Sequence, residues 1–184
     1  MAEKKKFEVK RPTRTVSVCL DGDLTAEYEI ARAKLADEQK ASKSDTRLNS
    51  PASQWEKKHA ELFAAQQEQT LVFTLRGLPR HVWDALKNDH PARKDNGLDD
   101  QFGFDTSKVF EEAMLTEGTI DSVSQGGEPV EFTAEDWAGI SDDLTDGQWG
   151  DFASALVELN AGRQSVPFSP AGYKKIQASA AKSK

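Results

Sequence analysis

The chain has one cysteine, Cys19, in 184 residues. A single thiol excludes an internal disulfide and any zinc site built on cysteine, and it fits a reducing compartment. Long apolar runs are also missing, since none approaches the roughly 20 residues that a bilayer-spanning helix needs. The basic start Lys4-Lys5-Lys6 leads into Phe7-Glu8-Val9-Lys10, where a signal segment would carry its apolar core. Together these absences set the expectation of a soluble, cytoplasmic protein. Motifs that carry chemistry are scarce as well. His59, His81 and His90 fall on different predicted elements, with no carboxylate or cysteine at metal-binding spacing. Gly77, Gly103, Gly118, Gly126 and Gly127 do not make a phosphate-cradling pattern, and no serine elbow is present. Asp142 and Asp143 are adjacent and read as a helix start before they read as an acid and base pair. The expectation is a protein that is not an enzyme, with no catalytic residue, metal or cofactor.

Positive charge is absent from a long segment. Between Val109 and Gly162 there is no Lys or Arg, while acidic residues from Glu111 to Glu158 run through it. Both ends are basic, with Lys4, Lys5, Lys6, Lys10, Arg11 and Arg14 at one and Lys174, Lys175, Lys182 and Lys184 at the other. The net charge is −7 and the mean hydropathy −0.66, with 37% hydrophobic and 30% charged residues. That balance lies on the polar side of globular and predicts exposed or disordered portions. The acidic half reads either as a docking surface for a basic partner or as a solvated face that keeps a small protein in solution.

What is present is organised around Thr70 to Leu86. Leu71, Phe73 and Leu75 alternate with Val72, Thr74 and Arg76, the period of a strand with one buried face. Gly77, Leu78 and Pro79 form a structural corner, continued by Arg80 into a helix whose Val82, Trp83 and Leu86 share a stripe. Upstream, Val16, Val18 and Leu20 predict a second strand near residues 14–20, with Cys19 on its polar face, and Asp23 is a fair helix cap. Leu24, Tyr28, Ala31 and Leu35 predict a charged helix to about Ala41, and Pro51 opens another carrying Trp55, Leu62 and Phe63. The pair reads as an antiparallel hairpin, either an arm for protein contact or a helical crossover between the strands.

Downstream, residues 90–97 read as a loop, and Asp105 caps a helix with Val109, Phe110, Ala113 and Met114 on one face. Ser122 to Pro129 reads as flexible. Thr133 precedes a short helix with Trp137 and Ile140, and Thr145 or Asp146 starts a longer one with Trp149, Phe152, Leu156 and Leu159. The predicted fold is α+β and mostly helical, with a small sheet from strands near 14–20 and 70–76. Residues 1–13 are expected to be a disordered leader, 14–162 one domain with a lobe to about 90 and an acidic helical lobe over 104–162, and 163–184 an extended basic tail. Arg76, Arg80, Arg93 and Lys94 with Phe102 and Phe104 suggest a basic and aromatic surface. With the net balance at −7, these cations are better read as facing the acidic half than as a nucleic-acid site.

The order of a DGDL turn after a strand, a charged helical hairpin, LRGLPRHVWDAL, FGFDTSKVFEEAML and LTDGQWGDFASALVELN resembles the tail assembly chaperones of long-tailed actinobacterial phages. The resemblance spans roughly residues 15 to 167, and its most specific pieces are Leu78-Pro79-Arg80 with Trp83 and Leu86, and Leu144 to Trp149. It implies a non-enzymatic protein of the infected host's cytoplasm, absent from the mature virion, that binds the tape measure protein and keeps it soluble during tail tube assembly. It further implies a longer frameshifted form, with that form and the major tail protein as further partners. On this reading Asp142, Asp143, Asp146, Trp137, Trp149 and Phe152 are the candidate partner-binding residues, although the tryptophans equally suit a core. A rival reading from the charge alone is a small acidic modulator, or a mimic of nucleic acid, acting on a host factor.

Overall fold

Alternating apolar side chains, helix caps and a Gly-Gly turn divide the described residues into eleven elements. The computed structural model describes residues 9–41 and 51–162. The leader before residue 9, the linker over 42–50 and the tail over 163–184 lie outside the described residues. In chain order the described elements are β1 (Thr13–Cys19), α1 (Gly22–Ala41), α2 (Pro51–Glu68), β2 (Thr70–Arg76) and α3 (Arg80–Asp89). They continue with α4 (Gly97–Phe102), α5 (Thr106–Leu115), β3 (Ile120–Gln125), β4 (Glu128–Val130), α6 (Ala134–Ser141) and α7 (Asp146–Asn160). The fold is α+β and mostly helical, with one antiparallel sheet in the order β1-β2-β3-β4.

The sheet is twice as wide as the sequence reading allowed. Ser122 to Pro129, expected to be flexible, forms the β3–β4 hairpin. Gly126 and Gly127 take φ of 58° and 88°, the two positive values that a type I′ turn requires. Directly opposed residues share a face, so Val16, Phe73, Val123 and Val130 line up across the four strands. Val16, Phe73 and Val123 are buried, whereas Thr15 and Ser122, the partners of Thr74 on the opposite face, are exposed. The β2–β3 register slips between Thr74 and Leu75, leaving Asp121 without an opposed partner. Its carboxylate accepts from Arg76 Nε and Nη2 at 2.9 and 2.6 Å.

Phe73 is the hub of the core. Its ring meets those of Phe132, Trp137 and Phe152 near-perpendicularly, with centroids 5.1, 5.8 and 5.2 Å away. Edge-to-face contact of this kind adds about 0.5–1.5 kcal/mol per pair beyond area burial. One core cluster joins Val16 and Val18 of β1 to Val109 of α5 and to Phe152, Leu156 and Leu159 of α7. The expected division into a lobe to about 90 and an acidic lobe over 104–162 therefore does not hold. β3 pairs with β2, and sheet and core run through both parts.

Three further expectations are corrected. Residues 11 and 12 belong to the fold, since Arg11 Nη1 donates to the Gly77 carbonyl at 2.7 Å and the Gly77 amide donates to the Pro12 carbonyl at 3.0 Å. Asp21 caps α1 in place of Asp23, accepting from the Leu24 amide at 2.9 Å. The loop expected over 90–97 ends at Asn96, where a short helix, α4, begins and runs on through residues given no element in the sequence reading, its first amides at Leu98 and Asp99 satisfied by the Asn96 side chain.

Helices α1 and α2 are antiparallel. Gln66, near the end of α2, donates to the Thr25 hydroxyl at 3.4 Å, and Tyr28 stacks on His59 and Phe63 at 4.8 and 6.2 Å. β1 and β2 are adjacent and antiparallel, so no crossover of the sheet is needed, and the helical pair is an arm inserted at the open end of their hairpin. Ala31 is the single fully buried residue of the two helices and lies outside the main core cluster. Ile30 and Phe63 remain 59% and 48% exposed.

Candidate functional site

The Gly77-Leu78-Pro79-Arg80 corner orients the helices around the sheet. Pro79 precedes α3, and its carbonyl accepts from the Val82 and Trp83 amides at 3.0 and 3.1 Å. Trp83 is buried and packs edge-on against Phe104 with centroids 5.8 Å apart. Leu78 is buried, and its amide donates to Asn160 Oδ1 at the end of α7. A methyl group on Gly77 would stand 3.1 Å from the Leu159 carbonyl oxygen, so α7 approaches the corner more closely than a side chain comfortably allows. The corner joins β2 to α3 and meets the last turn of α7, with Arg80 exposed.

With α7 fixed at its C-terminus, its N-terminus lies beside the root of the arm. Thr145 caps it in a capping box, its hydroxyl accepting from the Gln148 amide at 3.3 Å while Gln148 Oε1 accepts from the Thr145 amide at 2.9 Å. Thr133 and Asp136 make the same device at α6. There the Thr133 hydroxyl bonded to Asp136 holds that carboxyl below its ordinary value, helped by the Thr133 amide. Between the α6–α7 connection and the arm root lie two adjoining hollows of about 540 and 340 Å³. Val18, Cys19, Gly22, Thr145 and Gln148 line both. Leu20, Ile140 and Leu144 add apolar surface, Thr25, Gln66 and Thr70 add hydroxyl and amide groups, and Asp143 is the only charged residue in the lining. Asp142 stands next to Asp143 and Asp146 opens α7; all three are exposed and have no ionic partner among the described residues. The cleft can take an apolar side chain, hydrogen-bond a polar flank and attract a cation at its mouth.

The six candidate partner-binding residues are therefore divided. Asp143 lines the cleft, while Asp142 at the end of α6 and Asp146 at the start of α7 are exposed but outside its lining. Trp137 and Phe152 are core residues, at 2% and 0% exposure, and are not available to a partner; their contacts with Phe73 explain why. Trp149 is half-buried with its ring 6.1 Å from that of Trp137. The arm-root residues Leu20, Gly22 and Gln66 were missed. Their signal was the equal length of the two seven-residue strands, which brings Cys19 opposite Thr70.

No family model, curated protein or solved structure matches the chain.

The basic and aromatic surface that the sequence reading set aside is dispersed in the fold. Arg76 binds Asp121, Arg80 lies 3.8 Å from Asp84, and Phe104 is buried. Arg93 is engaged by Asp99, which is fully buried and accepts from Arg93 Nε and Nη2 at 2.6 and 3.1 Å and from the Thr106 hydroxyl and amide at 2.8 and 3.0 Å. The Arg93 guanidinium holds Asp99 far below the usual carboxylate range, against the opposing effect of burial, with Thr106 adding to it. Asp99 of α4 is thereby tied to Thr106 at the start of α5 and to Arg93 of the preceding loop. Among the described residues no group of three or more His, Cys, Asp or Glu is arranged to hold a metal ion. No described helix is long and apolar enough to cross a membrane.

Proposed function

We propose that this protein is a non-catalytic chaperone that holds an aggregation-prone helical partner through the cleft at the root of its arm. The partner in this reading is the tape measure protein of a long-tailed phage, kept soluble in the host cytoplasm while tail tube subunits assemble round it. The observation that carries the reading is the cleft itself, an apolar hollow with the exposed Asp143 in its lining, and with Asp142 and Asp146 exposed just before and after that stretch of chain. A chaperone for amphipathic helices needs open apolar surface edged by charge, and the resemblance in the order of the sequence motifs supplies the identity of the partner. The major tail protein and a longer frameshifted form are further partners in the same reading.

The test is co-expression with the long helical protein encoded beside it. The wild-type chain is expected to bring that protein into the soluble fraction and co-purify with it. The triple variant Asp142→Lys, Asp143→Lys, Asp146→Lys is expected to lose the complex while retaining a native circular dichroism spectrum. Unchanged co-purification by the folded triple variant would count against the cleft, and an insoluble partner with the wild-type chain would count against the function.

A further inference from the structure

The sheet has two edges, and only one is blunted. β4 is three residues long and has Pro129, which carries no amide to donate, at its centre. β1 is seven residues long, pairs with β2 without a register shift and contains neither proline nor lysine. The Leu20 amide donates to the Gln69 carbonyl and the Gly77 amide to the Pro12 carbonyl, which puts the even-numbered positions of β1 in the bonded pairs with β2. The backbone amides and carbonyls of Thr13, Thr15, Ser17 and Cys19 therefore point away from β2, and none of these groups has a hydrogen-bond partner among the described residues. A row of this kind is matched along its length by one ligand chemistry, an extended backbone.

Beside this edge lies a hollow of about 370 Å³. Residues 14–17 of β1 form one wall, and Asp151, Ser154, Ala155 and Glu158 form the other, the i, i+3, i+4 and i+7 positions of one face of α7. At Ser17 it runs on into the first hollow of the cleft. The free charge in the hollow is negative. Asp151 is exposed with no ionic partner among the described residues, and Arg14, the single cation of β1 and α7, is held by Glu158. A second copy pairing through the same edge would set its own α7 on the same side of the sheet, acid facing acid, because directly opposed residues share a face. We propose that the free edge of β1 accepts an extended segment of another protein as an added strand, with Lys or Arg on the side that faces α7. Such a strand goes beyond the cleft reading, since it needs neither a helix nor the cleft's partner.

The probe is a fluorescein-labelled model peptide alternating lysine with threonine, titrated with the full chain and followed by anisotropy. A peptide alternating glutamate with threonine is its counterpart. Two further lysine peptides carry N-methyl groups, one on the lysine amides and one on the threonine amides. Both keep the charge, and a strand donates to its neighbour from only one of the two sets. One methylated peptide is expected to bind the wild type about tenfold more weakly than the parent, a factor that corresponds to about 1.4 kcal/mol, while the other binds as the parent does. Asp151→Lys should weaken the parent peptide by a similar factor through charge. Folded Ser17→Pro should do so by removing an amide that faces the free edge and is not bonded to β2. Equal binding by the two methylated peptides, equal binding by the glutamate peptide, or no binding of the lysine peptide by the wild type overturns the proposal. So does a dimer in light scattering that Ser17→Pro dissolves, which would give the edge to a second copy of the chain. Binding that appears only in the full-length variant with Lys174, Lys175, Lys182 and Lys184 changed to serine would give it to residues 163–184, and would overturn the proposal as well.

Discussion

The Leu78 amide donates to the Asn160 side-chain oxygen at 2.6 Å, joining residues 82 positions apart. Asn160 also donates from Nδ2 to the Leu156 carbonyl at 2.8 Å, so its side chain is held at both ends. The corner after β2 is thereby latched to the last turn of α7, and the direction of α7 sets where the cleft at its N-terminus opens.

Replacing Asn160 with Ala leaves the part-buried Leu78 amide without its acceptor. A loss of about 1–3 kcal/mol in unfolding free energy is expected, read from urea denaturation with the slope unchanged. A variant within experimental error of the wild type would show that water replaces the latch at no cost.

Stability should fall in acid through Asp99. Its folded value is held below the unfolded value of about 3.9. The contribution is therefore complete above about pH 4 and is lost as the pH drops further below that point. Asp99→Asn is expected to melt at a lower temperature than the wild type at pH 7, with the gap narrowing as the pH is lowered from about 5 to 2. Asp84 and Asp136 are lowered as well and act in both proteins, whereas Asp105 shares Arg93 with Asp99, so the difference between the two melting curves reports the Asp99–Arg93–Asp105 group.

Thr119 is fully buried, and its hydroxyl has no hydrogen-bond partner among the described residues. Thr119→Val keeps the shape and removes the orphaned polar atom, so stability should be unchanged or rise by about 1 kcal/mol. A loss beyond that, measured by thermal melting, would reveal a bond made by the hydroxyl.

The arm can be removed. The Leu20 amide donates to the Gln69 carbonyl at 3.0 Å, continuing the hairpin of β1 and β2. Replacing residues 21–68 by Asn-Gly supplies the two-residue turn that such a hairpin favours. The shortened chain is expected to keep a cooperative melt and the near-ultraviolet signal of Trp83 and Trp137, because no arm residue enters the main core cluster. A molten product would place the arm among the supports of the core.

Local signals made much of this fold legible. The alternation in β2 and the caps at Asp105, Thr133 and Thr145 are written within a few residues, and each is found where its sequence places it. β3 and β4 were hidden because only Val123 is buried among polar neighbours, although the Gly126-Gly127 pair carried the turn. α4 was hidden because Asn96-Gly97 reads equally as a turn and as a helix start. Trp137 and Phe152 could not be assigned to core or surface from their helices alone, since an apolar stripe does not say whether a neighbour covers it. Phe73, more than sixty residues upstream of either, decides the matter.

The inserted arm also bears on the order in which the chain folds. Cys19 and Thr70 are neighbours across the sheet but stand at the two ends of a loop of about 50 residues, whose closure as random coil is slow and entropically costly. Early pairing of the two helices would carry those ends toward each other ahead of the strand contacts. The arm is then a built-in shortcut, turning the most distant pairing of the N-terminal half into a nearly local one, and a variant that weakens it should refold more slowly.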